Sequence, residues 1–185
     1  MESKRVQYKD LESILYTEEE LKTAVQKLGE QITRDYQGKK PVLVCILKGA
    51  CVFFADLMRS IDLPIEIDFM SCSSYVGTTT SGDVRVHKDL DQSIVGRDVI
   101  IVEDIVDTGT TLNFIKKLLM TRGASSLRIA CLLDKPERRK VPLTVDYRCF
   151  EIPDAFVVGY GLDYNSLYRN LPDVGILSPD VYANK

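Results

Sequence analysis

Short, uninterrupted apolar runs alternate along this chain with segments whose apolar residues recur at helical spacing, and this alternation constrains the fold most. Val42–Leu47 and Val99–Val102 are runs typical of strands buried on both faces, and Leu127–Leu133 also predicts a strand. Strands that alternate with helices pack as a parallel sheet covered by helices, joined by right-handed crossovers. The sequence therefore predicts an α/β fold with a mainly parallel sheet flanked by helices.

The helices between these strands begin and end at recognisable signals. Thr17 followed by Glu20 forms a capping-box pattern, and apolar residues then recur at helical spacing until Gly38. Ala50 to Arg59 predicts a second helix. A third follows residue 111 and is closed by Gly123.

The part of the chain between the second helix and Val99 is less regular. Ile65, Ile67 and Phe69 alternate with polar residues, which indicates a half-buried strand. Residues 73–83 are small and polar, so we expect a mobile loop. We expect this insert and the chain termini to form a small accessory lobe, a hood, within one domain spanning 1–185.

Length and charge exclude several classes of protein. The chain has 185 residues, 45% hydrophobic and 28% charged, which indicates one globular domain and excludes a disordered chain. The net charge of −3 gives no overall positive field to attract nucleic acid or an anionic membrane surface. No apolar run approaches the length of a membrane span, and the N-terminus lacks a secretion-signal pattern. We therefore expect a cytoplasmic protein that binds neither nucleic acid nor membrane.

Cysteine and histidine content narrows the chemistry further. Five cysteines without a CxxC pair predict reduced thiols packed as small apolar groups. A single histidine excludes metal sites that need two or three imidazoles.

The most informative segment is VIIVEDIVDTGTT, residues 99–111, which joins a buried strand to a helix. Its second half, Asp107-Thr108-Gly109-Thr110-Thr111, predicts a turn whose N–H groups and helix N-terminus bind a phosphate. Its first half places Glu103 and Asp104 side by side, which suits two vicinal hydroxyls or a hard cation. A phosphate cradle beside such a pair fits a ribose 5-phosphate.

This segment resembles the 5-phosphoribosyl 1-diphosphate (PRPP) signature of the type I phosphoribosyltransferases, and the resemblance extends over nearly the whole chain. Leu47-Lys48-Gly49 resembles the family's pyrophosphate loop, whose Leu-Lys peptide can be cis. Ser74-Tyr75 resembles the start of its flexible loop. Lys135 and the segment from Phe156 to Asn165, followed by Arg169, resemble the family's purine salvage branch.

The resemblance implies an enzyme of purine salvage that transfers the 5-phosphoribosyl group of PRPP to hypoxanthine and guanine. The products would be IMP or GMP and pyrophosphate, and the cofactor Mg2+. The implied residues are as follows: PRPP is bound by Lys48, Gly49, Glu103, Asp104, Asp107, Thr108, Gly109, Thr110, Thr111 and Arg169, the purine by Lys135, Phe156, Val157 and Asp163, and the metal by Glu103, Asp104 and Asp163.

The implied roles differ in kind. Asp107 is the catalytic residue, acting near N7 of the purine as a proton acceptor or as an electrostatic stabiliser. Phe156 would stack on the purine, Lys135 would donate to O6, and Val157 would contact the ring edge through its backbone. Asp163 would reach the metal through water.

Two other functions remain open from the sequence. The basic residues Lys135, Arg138, Arg139 and Lys140 could serve an RNA-binding regulator of the same fold, although they are also typical of a solvated loop. The other open function is that of a sister transferase acting on xanthine or a pyrimidine. We also expect a homodimer or homotetramer. The apolar second helix is a candidate interface, though core packing explains it equally well.

Overall fold

A computed structural model describes residues 6–74 and 84–183. The strands are β1 (Leu11–Tyr16), β2 (Val42–Leu47), β3 (Glu66–Ser74), β4 (Val84–Lys88), β5 (Asp98–Val106), β6 (Ser126–Asp134), β7 (Tyr147–Glu151), β8 (Val157–Val158) and β9 (Val174–Leu177). The helices are α1 (Glu18–Asp35), α2 (Cys51–Arg59), α3 (Thr110–Thr121) and α4 (Pro179–Tyr182), with short 3₁₀ turns at Val6–Asp10 and Pro136–Arg138.

The central sheet has six strands in the order β4-β3-β2-β5-β6-β7. All neighbours pair in parallel except β3 and β4, which are antiparallel. Helices α1 and α2 pack their buried faces on one side of the sheet, through residues such as Leu21, Val25 and Phe53. Helix α3 covers the other side with Ile115 and Leu119. The predicted α/β fold with a mainly parallel, helix-flanked sheet is confirmed.

A second, smaller sheet lies outside this core. Its three strands run in the order β1-β9-β8, all antiparallel, and so draw on both ends of the described chain. The described parts of the insert before Val99, residues 60–74 and 84–98, do not join it, contrary to our expectation. The reason is the parallel register of β3 along the whole of β2, from Val42 opposite Glu66 to Leu47 opposite Ser71, which ties this segment to the central sheet.

The structure corrects several local predictions. Strand β5 continues to Val106 through its pairing with β6, so Glu103 and Asp104 lie within the strand and not in a loop. Strand β7 was not predicted. Ser73 and Ser74 belong to β3, whereas residues 75–83 of the predicted mobile loop lie outside the described residues.

Burial differs from expectation on β3 and at Cys51, and on α2 it decides between two open interpretations. On β3, Ile67 is 46% exposed whereas Asp68 is buried. On α2, the side chains of Phe53, Phe54 and Leu57 are buried in the core, so core packing explains their apolar character. Cys51 is exposed, although we expected packed cysteines.

Within the described part of the chain, no helix is long and apolar enough to cross a lipid bilayer.

Candidate active site

The junction between β5 and α3 forms a turn whose first N–H groups lie outside the hydrogen-bond ladder of the helix. Gly109 caps α3 with a left-handed φ of 79°, a conformation that glycine adopts without steric cost. The first intrahelical bond runs from the N–H of Asn113 to the carbonyl of Gly109, at 2.8 Å. The N–H groups that precede that of Asn113 in the first turn of α3 therefore have no acceptor within the helix. Such a turn, with the helix dipole behind it, attracts an anion.

A cavity of about 310 Å³ opens in front of this turn. Most of the predicted PRPP ligands line it: Gly49, Glu103, Asp104, Asp107, Thr108, Gly109, Thr110, Thr111 and Arg169. Lys48 is not among the described residues that line it, but the adjoining Leu47 is, and the Leu47–Lys48 peptide is cis. We call this space the phosphate cavity.

At its floor Gly49 packs closely against the side chain of Asp104 and the backbone of Gly161. An ideal Cβ placed on Gly49 would lie 1.6 Å from Asp104 Oδ2. A Cβ placed on Gly161, whose φ is 101°, would lie 2.1 Å from the carbonyl oxygen of Gly49. Only glycine fits at Gly161, where the contact is with backbone, whereas a side chain at Gly49 would have to displace the carboxylate of Asp104. The role of Gly161 was not predicted, because its contact with Gly49 is formed only in the tertiary structure.

The two acids at the end of β5 lie in an unfavourable environment for negative charge. Burial, and then the charge of Asp104, raise the pKa of Glu103 well above its usual range. Burial also raises the pKa of Asp104. A cation beside them would relieve this repulsion.

The predicted metal ligands do not form one preassembled cluster. Among residues 6–74 and 84–183, no three His, Cys, Asp or Glu side chains converge as a metal-binding group. Asp163 is instead engaged elsewhere: Oδ1 lies 2.6 Å from Arg169 Nη2, and Oδ2 accepts the N–H of Ser166 at 2.8 Å. The oxygen donors present suit an ion that takes most of its ligands from water and substrate, as Mg2+ does.

A second cavity of about 520 Å³ contains the predicted purine ligands Lys135, Phe156, Val157 and Asp163. Lys135 is 7% exposed, and its Nζ donates to the carbonyl of Ala155 at 2.7 Å and to Asp154 Oδ1 at 3.4 Å. Phe156 is 42% exposed and stacks on Tyr182 with ring centroids 5.3 Å apart. We call this space the base cavity.

The two cavities adjoin each other. Asp104, Ile105, Asp107 and Asp163 line both. Arg169 braces this shared wall, because its Nη1 donates to the carbonyl of Gly161 at 2.6 Å while Nη2 pairs with Asp163. A ligand with phosphates at one end and a flat ring at the other would span both.

Sequence reasoning missed several residues of the base cavity. Arg138 Nε donates to Asp107 Oδ1 at 2.8 Å, and its Nη1 donates to Asp154 Oδ2 at 2.9 Å. Tyr182 comes from α4, near the end of the chain. The basic run 135–140 was visible in the sequence, but nothing in it identified Asp107 and Asp154 as partners. Of the predicted flexible-loop residues, Ser74 ends β3 and Tyr75 lies outside the described residues.

This arrangement, a phosphate-binding strand–turn–helix beside a base-sized cavity on a mainly parallel sheet, defines a type I phosphoribosyltransferase. A sequence model of the family described as "Phosphoribosyl transferase domain" matches residues 13–165, and the chain belongs to this family.

Individual relatives are similar over almost the whole chain. The hypoxanthine-guanine phosphoribosyltransferase of Streptococcus mutans is 52% identical over 175 residues, covering 94% of this chain and 97% of the relative. That of Streptococcus thermophilus is 51% identical with the same coverage. A crystal structure of a hypoxanthine phosphoribosyltransferase from Staphylococcus aureus has a TM-score of 0.95 and 52% identity, covering 99% of this chain and 100% of that chain.

Proposed function

We propose that the protein transfers the 5-phosphoribosyl group of PRPP to hypoxanthine and guanine, releasing pyrophosphate and giving IMP or GMP. The observation that carries the proposal is the wall that the phosphate and base cavities share, formed by Asp104, Ile105, Asp107 and Asp163. It brings the sugar carbon of a bound PRPP next to a bound purine. The relatives named above are transferases of this specificity.

The phosphate cavity holds PRPP by backbone donors and by charge. The turn from Asp107 to Thr111 binds the 5-phosphate through N–H groups and threonine hydroxyls. Glu103 and Asp104 face the ribose hydroxyls, and the guanidinium of Arg169 neutralises pyrophosphate oxygens as negative charge develops on the leaving group.

Mg2+ is the cofactor we propose, and Glu103, Asp104 and Asp163 are the residues that would hold it. Bound there, the ion offsets the charge of the leaving pyrophosphate. The raised pKa of Glu103 supports this assignment, since two adjacent, half-buried acids without a cation hold their charge at a cost.

The base cavity selects 6-oxopurines. The Lys135 ammonium has three donors, and two of them are directed to Ala155 and Asp154. The third serves the O6 oxygen of hypoxanthine or guanine, whereas the amino group of adenine offers it no acceptor. Phe156 supplies a ring face for stacking, and Val157 contacts the ring edge through its backbone.

Asp107 stands at the junction of both substrates. Its carboxylate accepts the purine proton, or stabilises the positive charge that grows on the ribose. Its partner Arg138, 2.8 Å away, keeps the carboxylate in the shared wall.

A cytoplasmic location and a homo-oligomer, dimer or tetramer, complete the proposal. All five cysteines are free, which is typical of a reducing compartment.

The RNA-binding alternative has lost its basis. The arginines of the basic run are bonded to acidic side chains, Arg138 to Asp107 and Asp154 and Arg139 to Asp134. The named relatives do not support it either.

The decisive experiment compares bases at saturating PRPP and Mg2+, following nucleotide formation by absorbance. We expect hypoxanthine and guanine to have the highest kcat/KM, xanthine a lower one, and adenine no measurable turnover. Adenine as the preferred base would contradict the role of Lys135. Absence of IMP formation, together with salt-dependent retention of RNA, would favour the regulator.

A further inference from the structure

The segment from Lys135 to Lys140 is bonded to the turn between β5 and α3 (Val106–Thr111, here called the phosphate turn) but does not line the phosphate cavity. The N–H of Lys135 donates to the carbonyl of Val106 at 2.9 Å, and the N–H of Lys140 donates to the carbonyl of Thr108 at 3.0 Å. Between them, Arg139 Nη1 donates to the carbonyl of Asp107 at 2.6 Å. Three consecutive carbonyls of the turn are therefore bonded to one segment.

This pattern determines where the N–H groups of the turn point. A trans peptide is planar, with its C=O and the following N–H directed to opposite sides. Holding the carbonyls of residues 106–108 on the outer segment therefore aims the N–H groups of Asp107, Thr108 and Gly109 the other way. A turn with its N–H groups aligned on one side is an anion-binding site.

Two of the three bonds use backbone donors, which only a substitution to proline would remove, and the third uses the side chain of Arg139. That side chain is 15% exposed and also pairs, through Nη2, with Asp134, which is 4% exposed. Its Cδ would lie 2.9 Å from an ideal Cβ on Gly109, so it also packs against the turn itself. The buried Asp134 thus holds Arg139 in the one place where it can bond the central carbonyl.

We propose that Arg139, held by Asp134, is a positioning residue that orients the N–H donors of the phosphate turn toward PRPP. The test of this proposal measures the binding and use of PRPP, so it rests on the proposed function. Arg139 touches neither the purine nor the base cavity, so its loss should weaken PRPP binding and spare the base.

The test is Arg139→Met in the full-length protein. Loss of the charge-assisted bond should raise the KM for PRPP by about tenfold, while the KM for hypoxanthine stays within about twofold. Direct titration with PRPP in Mg2+ should show the same weakening. Unchanged PRPP affinity, or an equal rise in both KM values, would overturn the proposal.

Arg148→Met is the matched control. Arg148 Nη1 also pairs with Asp134, at 3.2 Å, but lies on β7 and is 46% exposed. The Arg148→Met variant removes a partner of Asp134 but keeps the bond between Arg139 and the turn, so the KM for PRPP should stay at the wild-type value. A rise equal to that of Arg139→Met would assign the effect to Asp134 alone and overturn the proposal.

Arg139→Lys covers the case in which the methionine variant does not fold. A lysine ammonium lacks the fork that serves two acceptors at once, and the buried Asp134 would hold it. The Asp107 carbonyl would lose its partner, so the KM for PRPP should again rise, and an unchanged value would contradict the proposal. If the wild-type protein neither binds PRPP nor forms IMP, the proposed function fails instead, which is a distinguishable outcome.

Discussion

The phosphate cavity and the base cavity share a wall but are built in different ways. The phosphate cavity takes most of its lining from one continuous segment, Glu103 to Leu112, and relies on backbone N–H groups. The base cavity collects Lys135, Phe156 and Tyr182 from separate parts of the chain and relies on their side chains. A site made of backbone is sensitive to added atoms that displace it, whereas a site made of side chains is sensitive to atoms that are removed.

The largest expected effect comes from adding atoms to the phosphate cavity. Gly49→Val would place a side chain where Asp104 Oδ2 lies 1.6 Å from the ideal Cβ. We expect kcat/KM for PRPP to fall by about 200-fold, equivalent to about 3.1 kcal/mol, with the KM for hypoxanthine nearly unchanged. Steady-state kinetics with each substrate varied in turn measures this difference.

Gly38→Ala is its control. Gly38 has a φ of 76° and no atom within 4 Å of its ideal Cβ. Alanine there should lower the melting temperature through backbone strain and leave the kinetics at wild-type values. Wild-type PRPP kinetics in Gly49→Val would show that the close packing at the cavity floor is dispensable.

The next effect comes from removing atoms from the base cavity. Lys135→Met deletes a buried ammonium whose bond to O6 is worth about 1.5–3 kcal/mol, so the KM for hypoxanthine should rise by about 10- to 100-fold. The KM for PRPP should change by less than about twofold, since no phosphate-cavity atom is lost. Lys140→Met, at an exposed lysine in the same segment, should behave as the wild type. Equal losses for both substrates would mean that the two cavities are not separable.

The smallest of the three effects is expected at the shared wall. Asp163→Asn keeps the shape of the side chain but removes the charge that faces Arg169 at 2.6 Å. We expect kcat to fall by about fivefold and the Mg2+ concentration for half-maximal rate to rise, because the change acts on charge alone. A magnesium titration that overlays the wild-type curve would remove Asp163 from the metal assignment.

Features that depend on neighbouring residues were predicted well. The capping box of α1 is present, with the Thr17 N–H donating to the Glu20 carboxylate at 2.9 Å, and the helix begins at Glu18 as expected. Strand β2 has the predicted bounds, Val42–Leu47. Both depend on contacts within a few residues, which a short pattern records.

Features that depend on distant partners were not predicted. The alternation on β3 placed Ile67 among the buried positions, yet Asp68 is the buried residue, because its carboxylate accepts the N–H groups of Asp91 at 2.9 Å and Gln92 at 3.2 Å. Strand β7 has no apolar run and exists through its parallel pairing with β6.

In the candidate site, too, features set by neighbouring residues were predicted and features set by distant partners were not. The turn from Asp107 to Thr111 was recognisable from 13 residues, 99–111, because a strand, a glycine turn and a helix start follow one another within that segment. The sequence could not indicate that Arg138 and Arg139, adjacent in the chain, would serve the base cavity and the phosphate turn respectively. Their acidic partners Asp154 and Asp134 are set by how β6 and the segments after it pack, since an ion pair needs two positions brought together and a pattern in one segment describes only one of them.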